Sequence, residues 1–420
     1  MDDQFSAYEV GLTKLFADLD PGRARYAEAR TLEARLRENL AASRTQGDSE
    51  SRRADRSQIV GALNDLAQAL GQRSFNDLCW PAQQLNEQGL HGSLQTGGVN
   101  PFQYGNPVAP EQFYGREAEL ALIRDRLGKL TPESLSLVGH RRMGKSSLLR
   151  YIAARPLTFC RPEQRPLFVS LDLQDRRFHT PIGITEGLRR GIERATGTAP
   201  WATSENDDLF AVDDGLTALR DQGWTLIMLI DEFDRIGARL AAFQDWGEDW
   251  RAKASVGKLV LVIASLQPLD TLYQTLGLTS PFANIFITAT LGALAPAAQE
   301  ALVRAGFAQS GHALPAAGLT LVDELAGGFP YYTQLAAGLL WRLGDPATVR
   351  QEFMHQATPR FRELWADLTP LEQQTLRNLS SQQGVALPDA KLLAELQRQG
   401  LVRNNHHPFS TAFADFICKP

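Results

Sequence analysis

The sequence predicts an α/β fold built on a five-stranded parallel sheet, with an all-helical segment before it and two helical segments after it. Three observations carry this. Between residues 111 and 294, short apolar runs alternate with stretches long enough for helices. The first run opens directly into a glycine-bearing turn and a helix-like segment, and the third ends in paired acids. The runs fall at 135–138, 167–173, 226–230, 259–264 and 284–288. Each is separated from the next by enough chain for a crossover helix, as parallel pairing requires.

Residues 1–79 are rich in Arg, Glu and Ala and lack strand-like alternation. Leu32, Leu36 and Leu40 recur four apart, and Ile59, Leu63, Leu66 and Leu70 repeat the pattern after a break at Gln46-Gly47-Asp48. That spacing predicts two amphipathic helices folded into a hairpin. A shorter helix over 8–19 precedes them, set off by Asp20-Pro21-Gly22. Residues 80–110 turn to Gly, Asn, Gln and Pro and read as a linker. After the sheet-forming region, 295–367 is helical, punctuated by Gly311, Gly327-Gly328, Pro330, Pro346 and Pro359. A last module, 368–420, begins with Thr369 as helix cap and Pro370 at the first helical position. A second helix over 388–399 stops at Gly400, and a strand and turn through Leu401 to Pro408 suggest a winged helix.

Composition narrows the classes. At 420 residues the chain has room for several domains and a full core. Cys79, Cys160 and Cys418 lie far apart, without metal or redox spacing, and are expected as reduced thiols in the cytoplasm. No apolar run reaches the roughly 18 residues needed to span a bilayer, so no membrane partner is expected. A formal net charge of -5 argues against a globally electrostatic nucleic-acid binder.

The chemistry concentrates in two places. Gly139-His140-Arg141-Arg142-Met143-Gly144-Lys145-Ser146 satisfies the pattern G-x-x-x-x-G-K-[ST] between a strand and a helix. Glycines at those positions let backbone N–H groups wrap a phosphate while the helix points its positive end at the same charge. Lys145 is expected on the β- and γ-phosphates and Ser146 on Mg²⁺. About 80 residues on, the apolar run before Asp231-Glu232 reads as a strand buried on both faces that delivers acids to a cleft. Asp231 is expected in the metal shell, and Glu232 within reach of an attacking water. The expected cofactors are therefore ATP or ADP with Mg²⁺.

Four segments together resemble the archaeal-type and STAND ATPases, AAA+-like proteins of the additional-strand catalytic-glutamate class. They are Phe113-Tyr114-Gly115-Arg116, the phosphate loop running on through Ser147, Asp231-Glu232-Phe233, and Gly327-Gly328-Phe329-Pro330-Tyr331. The resemblance covers about residues 110–420. It implies a sheet of order 5-1-4-3-2 and a turn at Phe113, Gly115 and Arg116 beside the adenine. Gly139, Arg142, Met143, Gly144, Lys145, Ser146 and Ser147 would hold the nucleotide. A helical lid would use Gly328-Phe329-Pro330 to sense nucleotide state, and a winged helix would pack over the nucleotide in the resting form. Ser265 stands where relatives place a small polar γ-phosphate sensor, but no Arg follows it as in STAND members with a Thr-Thr-Arg ending.

The resemblance implies a switch ATPase: ADP-bound and closed at rest, ATP-bound and open when triggered, with slow turnover. The N-terminal helices more loosely resemble effector-associated modules, which implies recruitment of a protein effector through residues 1–79 and an ATP-dependent homo-oligomer. The rival is an origin-recognition-like ATPase whose winged helix reads duplex DNA. It is not favoured at this stage. In 369–420 the bases Arg377, Lys391, Arg398, Arg403 and Lys419 nearly balance Glu372, Asp389, Glu395 and Asp415, whereas phosphate binding wants a concentrated basic face.

Overall fold

The computed structural model describes residues 2–17, 25–46, 50–69, 75, 79, 100–161, 163–202, 208–275, 277, 281–381 and 389–418. These fall into two compact units, 1–93 and 94–420. The first holds α1 (Asp2–Ala17), α2 (Tyr26–Gln46) and α3 (Glu50–Ala69). Leu32, Leu36 and Leu40 of α2 are buried with Ile59, Leu63 and Leu66 of α3, as the four-residue spacing requires. Across the pair, Asn39 donates from Nδ2 to the Arg52 carbonyl at 3.0 Å. Arg35 meets Asp55 at 3.1 Å. The expected breaks at Asp20-Pro21-Gly22 and Gly47-Asp48, and the position of Leu70, lie outside the described residues.

The second unit is centred on the parallel sheet. Its strands are β1 (Leu135–Val138), β2 (Arg165–Asp172), β3 (Trp224–Asp231), β4 (Val260–Ser265) and β5 (Ile287–Thr290), in the order 5-1-4-3-2. Alternate residues of β3 serve two cores. Ile227 and Leu229 enter the one shared with β1 and the C-terminal helices, while Leu226, Met228 and Ile230 enter the other. Burial on both faces explains why this strand is continuously apolar rather than alternating. α4 (Glu117–Leu127) precedes β1, and the crossover segments carry α5 (Lys145–Ala154), α6 (Pro156–Phe159), α7 (Pro181–Thr196), α8 (Leu209–Asp221), α9 (Gln244–Ser255) and α10 (Leu269–Thr275).

The fifth strand begins three residues later than the sequence suggests. Pro281–Ile285 forms a 3₁₀ turn, a start that proline at its first position favours. An apolar stretch without a clear period gave no means of separating turn from strand.

Four helices follow the sheet: α11 (Pro296–Gln309), α12 (Gly318–Ala326), α13 (Pro330–Leu343) and α14 (Pro346–Ala366). Then come α15 (Pro370–Ser380), α16 (Ala390–Arg398) and α17 (Thr411–Cys418). Thr369 and Glu372 make a reciprocal capping box at the start of α15, and Asp389 caps α16. Between α16 and α17 the chain turns at 404–407 and closes on one antiparallel bridge, Val402 with Pro408. An aromatic cluster joins this module to the lid. Phe409 lies 4.0 Å from Phe329 and 4.7 Å from Phe413, centroid to centroid.

The linker expected over 80–110 needs correction in its second half. Residues 100–110 pack against the lid helices and α5, with Phe102 buried beside Phe307. The rest of that span lies outside the described residues. Among the described residues, no helix is long and apolar enough to cross a membrane.

Candidate functional site

The strand order puts the C-terminal ends of β1, β4 and β3 side by side. The loop leaving β1 is anchored at once, Gly139 N–H donating to the Ser265 carbonyl of β4 at 3.2 Å. Two left-handed residues then shape it, Arg142 (φ 69°) and Gly144 (φ 87°), the latter capping α5. Glycine takes such a φ without cost; arginine does so only when its surroundings hold it. Here the Arg142 guanidinium lies 4.3 Å from the Tyr331 ring centroid and 3.4 Å from Glu363.

Lys145 occupies the first turn of α5 and is buried. Its ammonium donates to the carbonyls of Gly139 at 2.6 Å and His140 at 3.1 Å. Burial pulls its pKa below the ordinary lysine range, against the upward pull of Glu232, Asp234 and Asp231. Those acids stand at the end of β3. Burial raises the Asp231 carboxyl above the usual range, while hydrogen bonds from the Ser146 hydroxyl and the Glu232 N–H oppose the rise. Asp234 is raised by burial too, and accepts from Leu266 N–H at 2.6 Å. Glu232 sits in the left-handed region (φ 55°) and meets Arg235 at 3.3 Å.

A cavity of about 280 Å³ adjoins the loop. Arg142, Met143, Gly144, Lys145, Ser146, Ser147 and Glu232 line it, together with Phe113, Arg116 and Pro330. Pro330 opens α13 and faces Gly144, its Cγ 3.9 Å from where a Cβ on that glycine would stand. The lid therefore meets the loop at its glycine.

Most expected site residues line this cavity. Arg116 is buried and donates to the Met143 carbonyl at 2.9 Å and to Glu119 at 3.0 Å, so it braces the loop from behind. Gly115 (φ 74°) lies so close to Ala298 that a Cβ would come within 2.7 Å of that side chain. The Ser147 hydroxyl accepts from Val108 N–H at 3.2 Å. Ser265, expected as a sensor, stands at the end of β4. It is buried, its hydroxyl donates to the Gln267 carbonyl at 2.7 Å, and it is not among the residues lining the cavity. With no Arg after it, that hydroxyl is satisfied within its own turn.

The loop arginines are tied outward. Arg141 reaches Asp367 at 3.1 Å, and the His140 ring nitrogen is 3.1 Å from Gln399 Oε1. Burial lowers the His140 pKa, against the upward pull of the Gln399 hydrogen bond and of Glu372. Sequence reasoning missed a further part of the lining, Tyr104, Pro107, Val108 and Gln334. The signal was present: aromatic and apolar residues between rigid prolines are unusual in a solvated spacer.

This strand order, loop and acidic strand end are those of the Walker-type P-loop ATPase fold. By sequence, the chain matches no family profile and no curated protein. Similar solved structures are found at low identity. A Walker-type ATPase of Pyrococcus abyssi superposes with a TM-score of 0.54 at 16% identity, over 76% of this chain and 99% of that one. The ORC2 protein of Aeropyrum pernix gives 0.46 at 13%, over 75% and 96%. The Cdc6p protein of Pyrobaculum aerophilum gives 0.44 at 14%, over 77% and 99%.

Proposed function

We propose that this chain is an ATP-binding switch ATPase, with 111–294 as its ATPase domain, 295–367 as its lid and 368–420 as its winged-helix module. The observation carrying the proposal is the meeting of Lys145, Ser146, Asp231 and Glu232 at one end of the sheet, beneath Pro330. Loop N–H groups and the start of α5 bind the phosphates, and Lys145 turns from the loop carbonyls toward the incoming charge. Ser146 and Asp231 offer hard oxygen donors already in contact, a set suited to Mg²⁺ that leaves its remaining positions to phosphate and water. That ion would neutralise phosphate charge. Glu232 orients the attacking water.

Three successive loop residues, His140, Arg141 and Arg142, reach the lid and the C-terminal module. A change at the phosphates therefore bears directly on both. Slow turnover is part of the proposal, by analogy with isolated NTPases whose rates are about 10⁻⁴ to 10⁻² per second.

What the switch controls has two readings. Duplex-DNA binding of the origin-recognition type now comes first, because α15, α16 and the turn closed by Val402 and Pro408 follow a helix, helix, wing order. Recruitment of a protein effector through residues 1–79, with ATP-dependent homo-oligomerisation, comes second and rests on the sequence motifs alone. Two measurements test the proposal. Glu232→Gln should keep ATP affinity and slow hydrolysis by about 10²- to 10⁴-fold. Fluorescence anisotropy with mixed duplexes across a salt series, in ADP and in a non-hydrolysable ATP analogue, separates the outputs. Steep salt dependence in one nucleotide supports DNA binding; an absence of binding in both, with a shift in elution volume, supports the effector reading.

A further inference from the structure

Two glycines stand in the middle of lid helices, where glycine costs about 1 kcal/mol relative to alanine and no left-handed backbone calls for it. Both face Phe102. A Cβ on Gly306 of α11 would come within 2.4 Å of the Phe102 ring, and one on Gly338 of α13 would lie 3.3 Å from the Phe102 Cβ. The ring is buried between them and against Phe307, at 5.6 Å between centroids. Beside it, Asn100 Oδ1 accepts from Phe102 N–H at 3.0 Å, and the Gln334 side chain accepts from Gln103 N–H at 3.2 Å. The glycines have made a slot, and the side chain fills it.

The chain then crosses the cavity. Tyr104 packs edge-on to Tyr331 at 6.1 Å, and residues 103–108 line the cavity wall. At its far end the segment is fastened to α5, the helix that begins in the phosphate loop. Val108 N–H donates to the Ser147 hydroxyl, and Arg150 reaches the Pro107 carbonyl at 3.4 Å. One short segment is thus pinned to the lid at one end and to the phosphate-binding helix at the other.

We infer that residues 102–108 form a strap that retains bound nucleotide, with Phe102 in its glycine slot as the positioning residue that keeps it closed. The inference rests on the ATP-binding reading and specifies one feature of that site. Phosphate contacts fix the nucleotide's tail through Lys145, and the strap governs escape of its base and sugar. Its effect belongs in the dissociation rate, since related sites differ mostly there.

The test is stopped-flow release of a fluorescent N-methylanthraniloyl ADP, with Mg²⁺, from the full-length protein. Phe102→Ala and Gly306→Ala should each accelerate release about tenfold, with association changed less than threefold. Phe102→Leu should recover most of the retention. Thermal melting without nucleotide checks folding, and the double variant Phe102→Ala/Gly306→Ala supplies the decisive comparison. If the two residues act as slot and key, Gly306→Ala should add almost nothing once the ring is gone. Unchanged release from folded Phe102→Ala, or fully additive effects in the double variant, would overturn the strap. Failure of the wild-type protein to bind the probe would instead overturn the ATP-binding reading.

Discussion

The helical hairpin of α2 and α3 and the phosphate-loop region treat charge in opposite ways. In the hairpin a nearly buried acid is quenched by its neighbours, Glu33 taking Arg30 at 2.6 Å and Arg37 at 3.1 Å. In the loop region Lys145 lies among three acids, yet its hydrogen bonds go to backbone carbonyls, and Asp234 Oδ1 is buried without a partner. Left-handed residues Arg116, Arg142, Gly144 and Glu232 gather around the same cavity. One region is arranged for stability. The other holds strain and unquenched charge, which persist where a charged ligand supplies the compensation.

Replacing Lys145 breaks the contrast most directly. Lys145→Ala removes a cation that makes charge-assisted bonds to phosphate, so ATP affinity should fall about 100- to 1000-fold, a loss of about 3 to 4 kcal/mol. Stability without nucleotide should not fall with it. The Lys145 pKa is depressed by burial, so its folding contribution is complete only above the unfolded lysine value near 10.4 and diminishes as pH drops through the folded value. At neutral pH the buried ammonium is a cost, and its removal should leave the melting temperature equal or higher. Calorimetric titration and thermal melting read the two effects; an undiminished ATP affinity would sink the assignment.

Leu36→Ala is the converse. Leu36 is fully buried in the hairpin core, and truncation there costs about 2–5 kcal/mol. The first unit should melt earlier while nucleotide affinity stays within about twofold of wild type, because the two units have separate cores. A parallel loss of ATP binding would show the units to be energetically coupled.

Pro330→Ala probes the border between the two treatments. A proline at the first helical position stabilises the helix modestly, but this one also faces Gly144. ADP dissociation should change about three- to tenfold, an effect on the scale of 1 kcal/mol, with the melting temperature little altered. An unchanged off-rate would reduce Pro330 to a helix starter.

Legibility in the sequence followed the same division. The hairpin was readable because leucines at four-residue spacing report a buried face directly. Lys145, Ser146, Asp231 and Glu232 were readable because phosphate chemistry demands a local spacing. What escaped was non-local. The packing of 100–110 depends on glycines at 306 and 338, more than 200 residues downstream. No short-range pattern carries such pairings, although unexplained mid-helix glycines mark where a side chain from elsewhere must arrive.

The last effect separates the units by pH. Burial pushes the Cys79 thiol up to about 12, and Cys160, in the second unit, up to about 11. In each case the folded thiol keeps its proton over a range where the unfolded one, near 9, has lost it. The folded state then binds more protons than the unfolded one, so stability falls as pH rises, by at most about 1.4 kcal/mol per pH unit for each thiol. The slope sets in about one pH unit below the unfolded value, is half its limit near pH 9 and approaches that limit about one unit above it. Denaturant titrations between pH 8 and 10.5 under reducing conditions should show this loss in wild type, and Cys79→Ala should lack it in the transition of the first unit alone. Because Cys79 Sγ lies against Gly11, alanine removes the titrating group without crowding α1. An identical pH slope in wild type and Cys79→Ala would mean that the thiol is hydrated in the folded protein and that the small helical core is less closed than its buried leucines imply.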